Sequence, residues 1–398
     1  MNFARAAIDA PLEGRAMTVA EILAAATALG PRLTAAIDEC NALGCMPKAI
    51  MEDLRAAGVF RIGFPDYLGG PQMRLADQVK LIEILSAANP SVGWNVMILG
   101  DSGYFAGMLD PQVAREIWPS LDLATSAVSR PPLRADAVEG GYRFSGRLGF
   151  ASGVRNADRI CVQCLKYVDD KLVLDAKGQP EQFIAFPPLE AFTIHDAWDT
   201  IGMRGTGSTQ ISIDNAFVPE DRVIASSIEK PVLSYPPLSR YVNLMFVNQL
   251  GVILGVTKTI LEMVEARLSS KTTVERTPLA KEYRFRVGVP HAWGQFQAAS
   301  AYVYEAATEC DDRLFANEPV PPAVLAKVSM MTVIAAELCR KAADDALELL
   351  GSDHIFRSTG IDKFYSDLRV AATHVIHRPE ALHRAAAWRE EAAAAAAA

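Results

Sequence analysis

Apolar residues recur at spacings of three and four through the first third of the chain, the period of helices that bury one face. The segments MTVAEILAAATALGPRLTAAIDECNAL, PKAIMEDLRAAG, RLADQVKLIEILSAAN and SVGWNVMILGDSGYFAGML all read this way. Pro31 is expected to interrupt the first, because proline lacks the amide that a helix interior uses. Gly58 is expected to stop the second. FPDYLGG reads as a turn, and PQVAREIW starts with proline at a first-turn position, where helices accept it.

From about residue 121 the period shortens. LATSAVS, VEGGYRFSGRLGF, ADRICVQCLKYV, EQFIAFPP, FTIHDAW and TQISIDNAFVP are short and rich in β-branched and aromatic residues, with Gly, Pro and Asp between them, which predicts strands. The pair Gly140-Gly141 predicts a hairpin turn. From about residue 235 long helical patterns return, in YVNLMFVNQLGVILGVTKTILEMVEARLSS, WGQFQAASAYVYEAATECDDRLF and AVLAKVSMMTVIAAELCRKAADDALELLG. Their lengths fit antiparallel helices of a bundle. Nearly continuous apolar faces on the first and third predict burial on more than one side, within or between subunits. The expected class is α+β, with a helical domain at 1–120, a β-domain at 121–228 and a helical bundle at 229–398.

Composition narrows the function. The 398 residues are half apolar and 22% charged, which is ordinary for a globular enzyme. A net charge of −8 without a basic run speaks against nucleic acid and against an anionic membrane surface. No segment reads as the roughly 18 uncharged apolar residues of a spanning helix. Asp9, Pro11 and Glu13 stand where a signal peptide would be apolar, so a cytoplasmic protein is expected. Cys161 and Cys164 lie three apart in a predicted strand, so their sulfurs point to opposite faces. All six cysteines are read as free thiols, the state a cytoplasmic compartment maintains. His195, His291, His354, His377 and His383 have no carboxylate or cysteine partners at ligand spacing, and no metal is expected. The alanine-rich tail is low-complexity and is given no function.

Three stretches then carry a resemblance. Phe64-Pro65-Asp66-Tyr67-Leu68-Gly69-Gly70 looks like a P-x-x-Y-G-G turn with one extra residue. Tyr142-Arg143-Phe144-Ser145-Gly146 followed by Phe150-Ala151-Ser152-Gly153 looks like a β-domain stretch ending in S-G. Trp198-Asp199-Thr200-Ile201-Gly202-Met203-Arg204-Gly205-Thr206-Gly207-Ser208, with Phe217-Val218-Pro219 downstream, looks like W-x-x-x-G-M-R-G-T-G-S…V-P. Together these resemble the acyl-CoA dehydrogenase superfamily over nearly the whole chain. The resemblance implies the acyl-CoA dehydrogenase fold: an N-terminal helical domain, a β-barrel-like middle domain and a C-terminal four-helix bundle. It also implies a flavin between β-domain and bundle, and a homotetramer.

Two branches of that superfamily compete. The thioester dehydrogenases use a glutamate that here falls on or beside Val375, which cannot accept a proton. The two-component flavin monooxygenases carry a histidine further along the same helix, and Asp367 is followed seven residues later by His374. The second branch fits better. It implies reduced FMN or FAD delivered by a separate NAD(P)H:flavin reductase, O2 as co-substrate, a flavin C4a-hydroperoxide, and oxygenation of a small, largely apolar aromatic or heterocyclic compound. A dehydrogenase or oxidase with its base elsewhere in the bundle, and a non-catalytic member, remain as alternatives.

On the monooxygenase reading His374 is the base, an imidazole with an ordinary pKa of about 6.5. A helical projection gives Ile361, Tyr365, Leu368 and Ala372 as the core stripe, with His374 off it. The resemblance puts Ser152 and Gly153 near flavin N5, Trp94 beside the ring, and Arg276 on the flavin phosphates of a neighbouring subunit. Thr206, Gly207 and Ser208 are expected to line the flavin or substrate pocket, where glycines allow close backbone approach, and Ser126 on the first strand joins them as a weaker candidate. The chain departs from the pattern in two places. A second histidine is replaced by Ser102, and the pattern S-G-x-x-H-A-x-W has Asn156 and Arg159 in place of its histidine and tryptophan. These departures bear on how a substrate is held and how the flavin stacks.

Overall fold

The structure is a computed structural model, and it describes residues 12–225, 232–272 and 279–397. Seven helices come first: α1 (Val19–Ala35), α2 (Ile37–Leu43), α3 (Lys48–Ala56), α4 (Leu75–Ala88), α5 (Pro90–Leu99), α6 (Ser102–Ala106) and α7 (Pro111–Ile117). Thr18 opens α1 with a capping box. Its hydroxyl accepts from the Glu21 amide and the Glu21 carboxylate accepts from the Thr18 amide. Pro31 does not interrupt α1, against expectation. The break comes at Ala36, where α1 and α2 meet at 68°. A single missing amide inside a packed helix is tolerated when the turns around it keep their bonds.

The middle of the chain forms one sheet from β1 (Thr125–Val138), β2 (Gly141–Ala151), β3 (Arg159–Val168), β4 (Lys171–Leu172), β5 (Gln182–Ala185), β6 (Phe192–His195), β7 (Thr209–Pro219) and β8 (Val223–Ala225). The strand order is β6-β7-β2-β1-β3-β5-β8, with β4 on β3. Only β1 and β3 run parallel among these neighbours. The β1–β2 hairpin turns one residue earlier than expected. Val138 pairs with Gly141, so the turn is Glu139-Gly140, with Gly140 at φ +76°. Cys161 and Cys164 do diverge. Cys161 joins the large helical core, Cys164 joins the smaller core on the other face of the sheet, and all six cysteines are free.

The helices return as α8 (Leu250–Ser269), α9 (Tyr283–Phe315), α10 (Pro322–Leu350), α11 (Ile361–Ala371) and α12 (Leu382–Ala397). The fold is α+β, as read from the sequence. Two stretches, Leu244–Ser269 and Pro322–Ile355, reach the length and mean hydropathy of a membrane span, contrary to expectation. The protein itself buries 83% of the most apolar window of the first and 56% of the second. On α11 the buried set is Ile361, Phe364, Asp367, Leu368 and Ala371. Tyr365 is only partly buried and its hydroxyl donates to Asp344 at 2.7 Å.

α8 lies tightly against α4, because glycines open its face. A Cβ on Gly251 would sit 2.5 Å from the Val79 carbonyl oxygen, and one on Gly255 would collide with the Glu83 carbonyl. Gly251→Ala is therefore expected to destabilise the protein by about 1–3 kcal/mol through overpacking. Denaturant unfolding measures this, and an unchanged midpoint would show that the two helices can part without cost.

Candidate functional site

Five segments meet where the sheet faces the second helical bundle. α5 supplies Trp94, the bend after β2 supplies Ser152 and Gly153, and the loop before β7 supplies Thr206–Ser208. β1 supplies Ser126, and the turn after α11 supplies His374. Gly153 has φ +67° and Gly207 has φ +52°, and a Cβ on Gly207 would strike the Gly44 carbonyl. Both bends therefore need glycine.

The hydroxyls form a directed chain. Trp94 Nε1 donates to Ser152 Oγ at 3.2 Å. Ser152 Oγ and Ser208 Oγ lie 2.7 Å apart, as do Ser208 Oγ and Thr206 Oγ1. Thr206 Oγ1 donates to the Met203 carbonyl at 2.7 Å. Each hydroxyl has one proton. Thr206 gives its own to the carbonyl, so Ser208 must donate to Thr206 and Ser152 must donate to Ser208. Ser152 then has its proton committed, one lone pair used by Trp94 and one lone pair left. Ser126 lies behind this chain, its hydroxyl donating to the Ser152 carbonyl at 2.9 Å. Ser126 thus steadies the Ser152 backbone.

The loop is fixed from below by α11. Asp367 accepts the Met203 amide, Trp198 Nε1 donates to the Met203 carbonyl at 3.0 Å, and Met203 itself sits at φ +55°. Gly202 lies so close to the Ser366 carbonyl that no Cβ would fit. Asn95 Nδ2 donates to the Gly205 carbonyl at 3.2 Å, and the Gly205 amide donates to Asn41 at 3.1 Å. Behind Gly207 a cleft of about 470 Å³ is lined by Arg155, Trp198, Arg204 and the Asn41–Gly44 end of α2. Burial pushes the Asp367 carboxyl up to about 7, although the Met203 amide and Lys363 pull the other way.

His374 is not on the helix. α11 ends at Ala371, and His374 caps the following turn, with Nδ1 accepting the Ile376 amide at 3.5 Å. Its ring lies edge-on to Trp94, centroids 5.8 Å apart, and 6.5 Å from Phe246. The expectation of an ordinary imidazole is corrected. Burial first, and then the charges of His377 and Arg378, pull His374 down to about 3. His377 is pulled down to about 4, mainly by burial. Its Nδ1 donates to the Thr332 carbonyl at 2.8 Å, while its Nε2 is buried without a partner.

The site thus gathers Trp94, Ser126, Ser152, Gly153, Thr206, Gly207, Ser208 and His374. Arg276 lies outside the described residues. Sequence reasoning missed Asn95, Met203 and Phe246 as site-building groups. It used Asp367 only as a landmark. Asn95 follows Trp94 directly, but a buried amide gives no periodic signal. The two departures are also placed. Ser102 Oγ donates to the Leu123 carbonyl at 2.9 Å and meets Thr125 at 2.7 Å. Arg159 turns away to the Ile117 carbonyl at 2.5 Å.

Residues 248–379 match the family described as acyl-CoA dehydrogenase, C-terminal domain. The indole-3-acetate monooxygenase of Pseudomonas putida is 28% identical over 88% of this chain and 91% of its own. The oxygenase component of an FADH(2)-dependent resorcinol hydroxylase from Rhizobium sp. is 32% identical over 45% of this chain and 42% of its own. The structure of XiaF from Streptomyces sp. in complex with FADH2 and glycerol superposes with a TM-score of 0.84, covering 94% of this chain and 95% of that one at 22% identity.

Two measurements follow from the electrostatics. A carboxyl at about 7 folded and 3.8 unfolded holds more protons folded than unfolded between those values, so stability falls as pH rises through that window. Asp367→Asn keeps an oxygen for the Met203 amide and removes the titration. Thermal melts against pH are expected to flatten in this variant between the two values, and curves parallel to wild type would exclude the carboxyl as their source. Imidazole NMR of His374 is expected to report a neutral ring at pH 5, since its pKa is held to about 3. A midpoint near the ordinary value of about 6.5 would show that water reaches the ring freely.

Proposed function

We propose that this chain, a member of the acyl-CoA dehydrogenase superfamily, is the oxygenase component of a two-component flavin monooxygenase. It takes reduced FMN or FAD from a separate NAD(P)H:flavin reductase and, with O2, oxygenates a small, largely apolar aromatic or heterocyclic compound. The observation that carries the reading is the directed hydroxyl chain ending on Ser152. Its spare lone pair makes Ser152 an acceptor, which suits the N5–H of a reduced flavin and not the bare N5 of an oxidised one. The monooxygenase and hydroxylase names of the relatives support the same reading.

The residues fit a flat ring. Gly153 leaves the backbone bare beside Ser152, and Phe150 is 71% exposed, edge-on to Trp198 with centroids 6.2 Å apart. An exposed aromatic beside a polar acceptor offers a face that a flat ring would cover. Ser152, Gly153 and Trp94 would hold the ring, and Thr206, Gly207 and Ser208 would hold Ser152. When bound, the reduced flavin supplies activation of O2 and transfer of one oxygen atom. The protein's part is to orient and to keep water away. Trp94, Phe246 and Met203 do the second, being apolar groups packed around the site. With Nδ1 facing the Ile376 amide, His374 presents Nε2–H as a donor. It accepts a substrate proton at Nδ1 only by giving up that long contact.

The dehydrogenase reading gains nothing here. Val375 is 57% exposed, and Asp367 is already used by the Met203 amide. A homotetramer belongs to the same proposal, supported by the partly open apolar window of the Pro322–Ile355 stretch. A cytoplasmic location is supported by the six free thiols.

An oxygen pulse onto anaerobic protein with reduced FMN or FAD tests this without knowledge of the substrate. Wild type is expected to delay flavin reoxidation relative to free flavin. Ser152→Ala is expected to shorten the delay roughly tenfold, the worth of one buried hydrogen bond. Reoxidation as fast as in free solution, for both flavins, would sink the reading.

A further inference from the structure

The site uses no polar group from the far end of α5, yet that end carries an acid with nothing to bind. Asp101 is 4% exposed, and its Oδ1 is sealed from solvent without a hydrogen-bond partner. Burial alone pushes its carboxyl well above the ordinary range. No cation offsets it, so it burdens the fold unless something else occupies the place beside it.

We propose that Asp101 is the substrate-recognition residue of this site, receiving the ring N–H or O–H of a flat heteroaromatic or phenolic substrate held along the Trp94 face of α5. Asp101 follows Trp94 by seven residues, and Gly100 and Asp101 keep right-handed backbone angles past the end of the helix. Seven residues are close to two full turns, so the two side chains leave the same face about 10 Å apart along the axis. Trp94 marks the end of that face where Ser152 and His374 meet.

The surroundings of Asp101 suit an aromatic ring. Phe105, one turn on, lies edge-on to Phe186 at 5.6 Å, and Phe186 lies edge-on to Trp118 at 5.3 Å. The Cys161 thiol and the Tyr104 hydroxyl are near enough for Asp101's charge to act on both. Neither satisfies it: Tyr104 donates to Gln78 at 3.0 Å. Ser102, the next residue, has its only proton on the Leu123 carbonyl and its oxygen against Thr125. Asp101 is therefore the one polar group of this turn left over for a guest. Charged or neutral, the carboxyl keeps an oxygen that accepts an N–H or O–H.

The idea rests on the oxygenase reading of the same site, and its test separates the two. Indole (a ring N–H), phenol (an O–H) and benzofuran (neither) are titrated calorimetrically into the full-length protein without flavin. Wild type is expected to favour a donor ligand over benzofuran about tenfold or more, since an unanswered buried polar group penalises the ligand that lacks its partner. If only indole gains, the substrate is a ring N–H compound; if only phenol gains, it is a hydroxylated ring.

Asp101→Leu is expected to bring the three affinities within about twofold of one another. Asp101→Asn, which keeps an acceptor oxygen, is expected to retain part of the preference. The melting temperature of Asp101→Leu should hold or rise, because the burden is removed. A residue that merely supported the fold would lower it. Should Asp101→Leu fail to fold, Asp101→Asn decides by whether the preference weakens. No preference in wild type, or the wild-type preference kept in these variants, overturns the assignment. The wild-type reoxidation delay is read separately. Its absence would remove the oxygenase reading while leaving the binding result to stand.

Discussion

The backbone of Met203 is the constraint on which the site depends. Its amide goes to Asp367 on α11, and its carbonyl receives Trp198 Nε1 and the end of the hydroxyl chain. Gly202 next to it touches the α11 backbone so closely that no side chain fits. A non-glycine residue at φ +55° costs about 1–2 kcal/mol, and it persists because both the N–H and the C=O of Met203 are held. Through this one residue the sheet loop and the bundle share a coordinate frame. His374, on the turn that ends α11, is placed relative to Ser152 by the same contact.

Direction follows from position. The Met203 carbonyl can only accept, so every hydroxyl upstream is forced to point toward it, and Ser152 is left as an acceptor. Had the loop ended the chain on a donor, the same three hydroxyls would have run the other way and left Ser152 a proton to give, which favours an oxidised ring. The imidazoles reinforce this setting. Burial holds His374 and His377 neutral, so the site carries no fixed positive charge from them. What the protein offers is a set of oriented dipoles in a dry place, which act more strongly there than in water.

The legible part of this fold was the part written in periods. Helical spacing, strand alternation and the return to long helices gave the α+β order, and alternation correctly sent Cys161 and Cys164 to opposite faces. Local exceptions were misread where tertiary packing overrides a local rule, as at Pro31 inside α1 and at the hairpin turn. In the site, the Ser152–Gly153 and Thr206–Ser208 segments stood out because their glycines and hydroxyls are contiguous in sequence. Asn95 and Met203 did not, because Asn95 acts on the distant Gly205 carbonyl and Met203 acts through its own backbone, which leaves no pattern in sequence. The position of His374 was legible, but its environment was not. A helical projection does not show that the helix has already ended, nor that burial strips the ring of its ordinary basicity.

Two buried acids show how far burial alone explains a residue. Asp367 is pushed up to about 7, but it receives an amide and anchors a loop, so its cost is balanced by a structural return. Asp101 is raised by burial with no opposing influence and anchors nothing through its side chain. Such a group costs the fold stability, a cost that a donor from outside offsets and an apolar replacement removes. Asp101 lies beyond the aromatic end of α5, next to Ser102, where the resemblance would have placed a histidine. The chain has not left that place without polar chemistry. Ser102 stands at that place with its proton spent on the Leu123 carbonyl, and the neighbouring Asp101 keeps an oxygen for a donor from outside the fold.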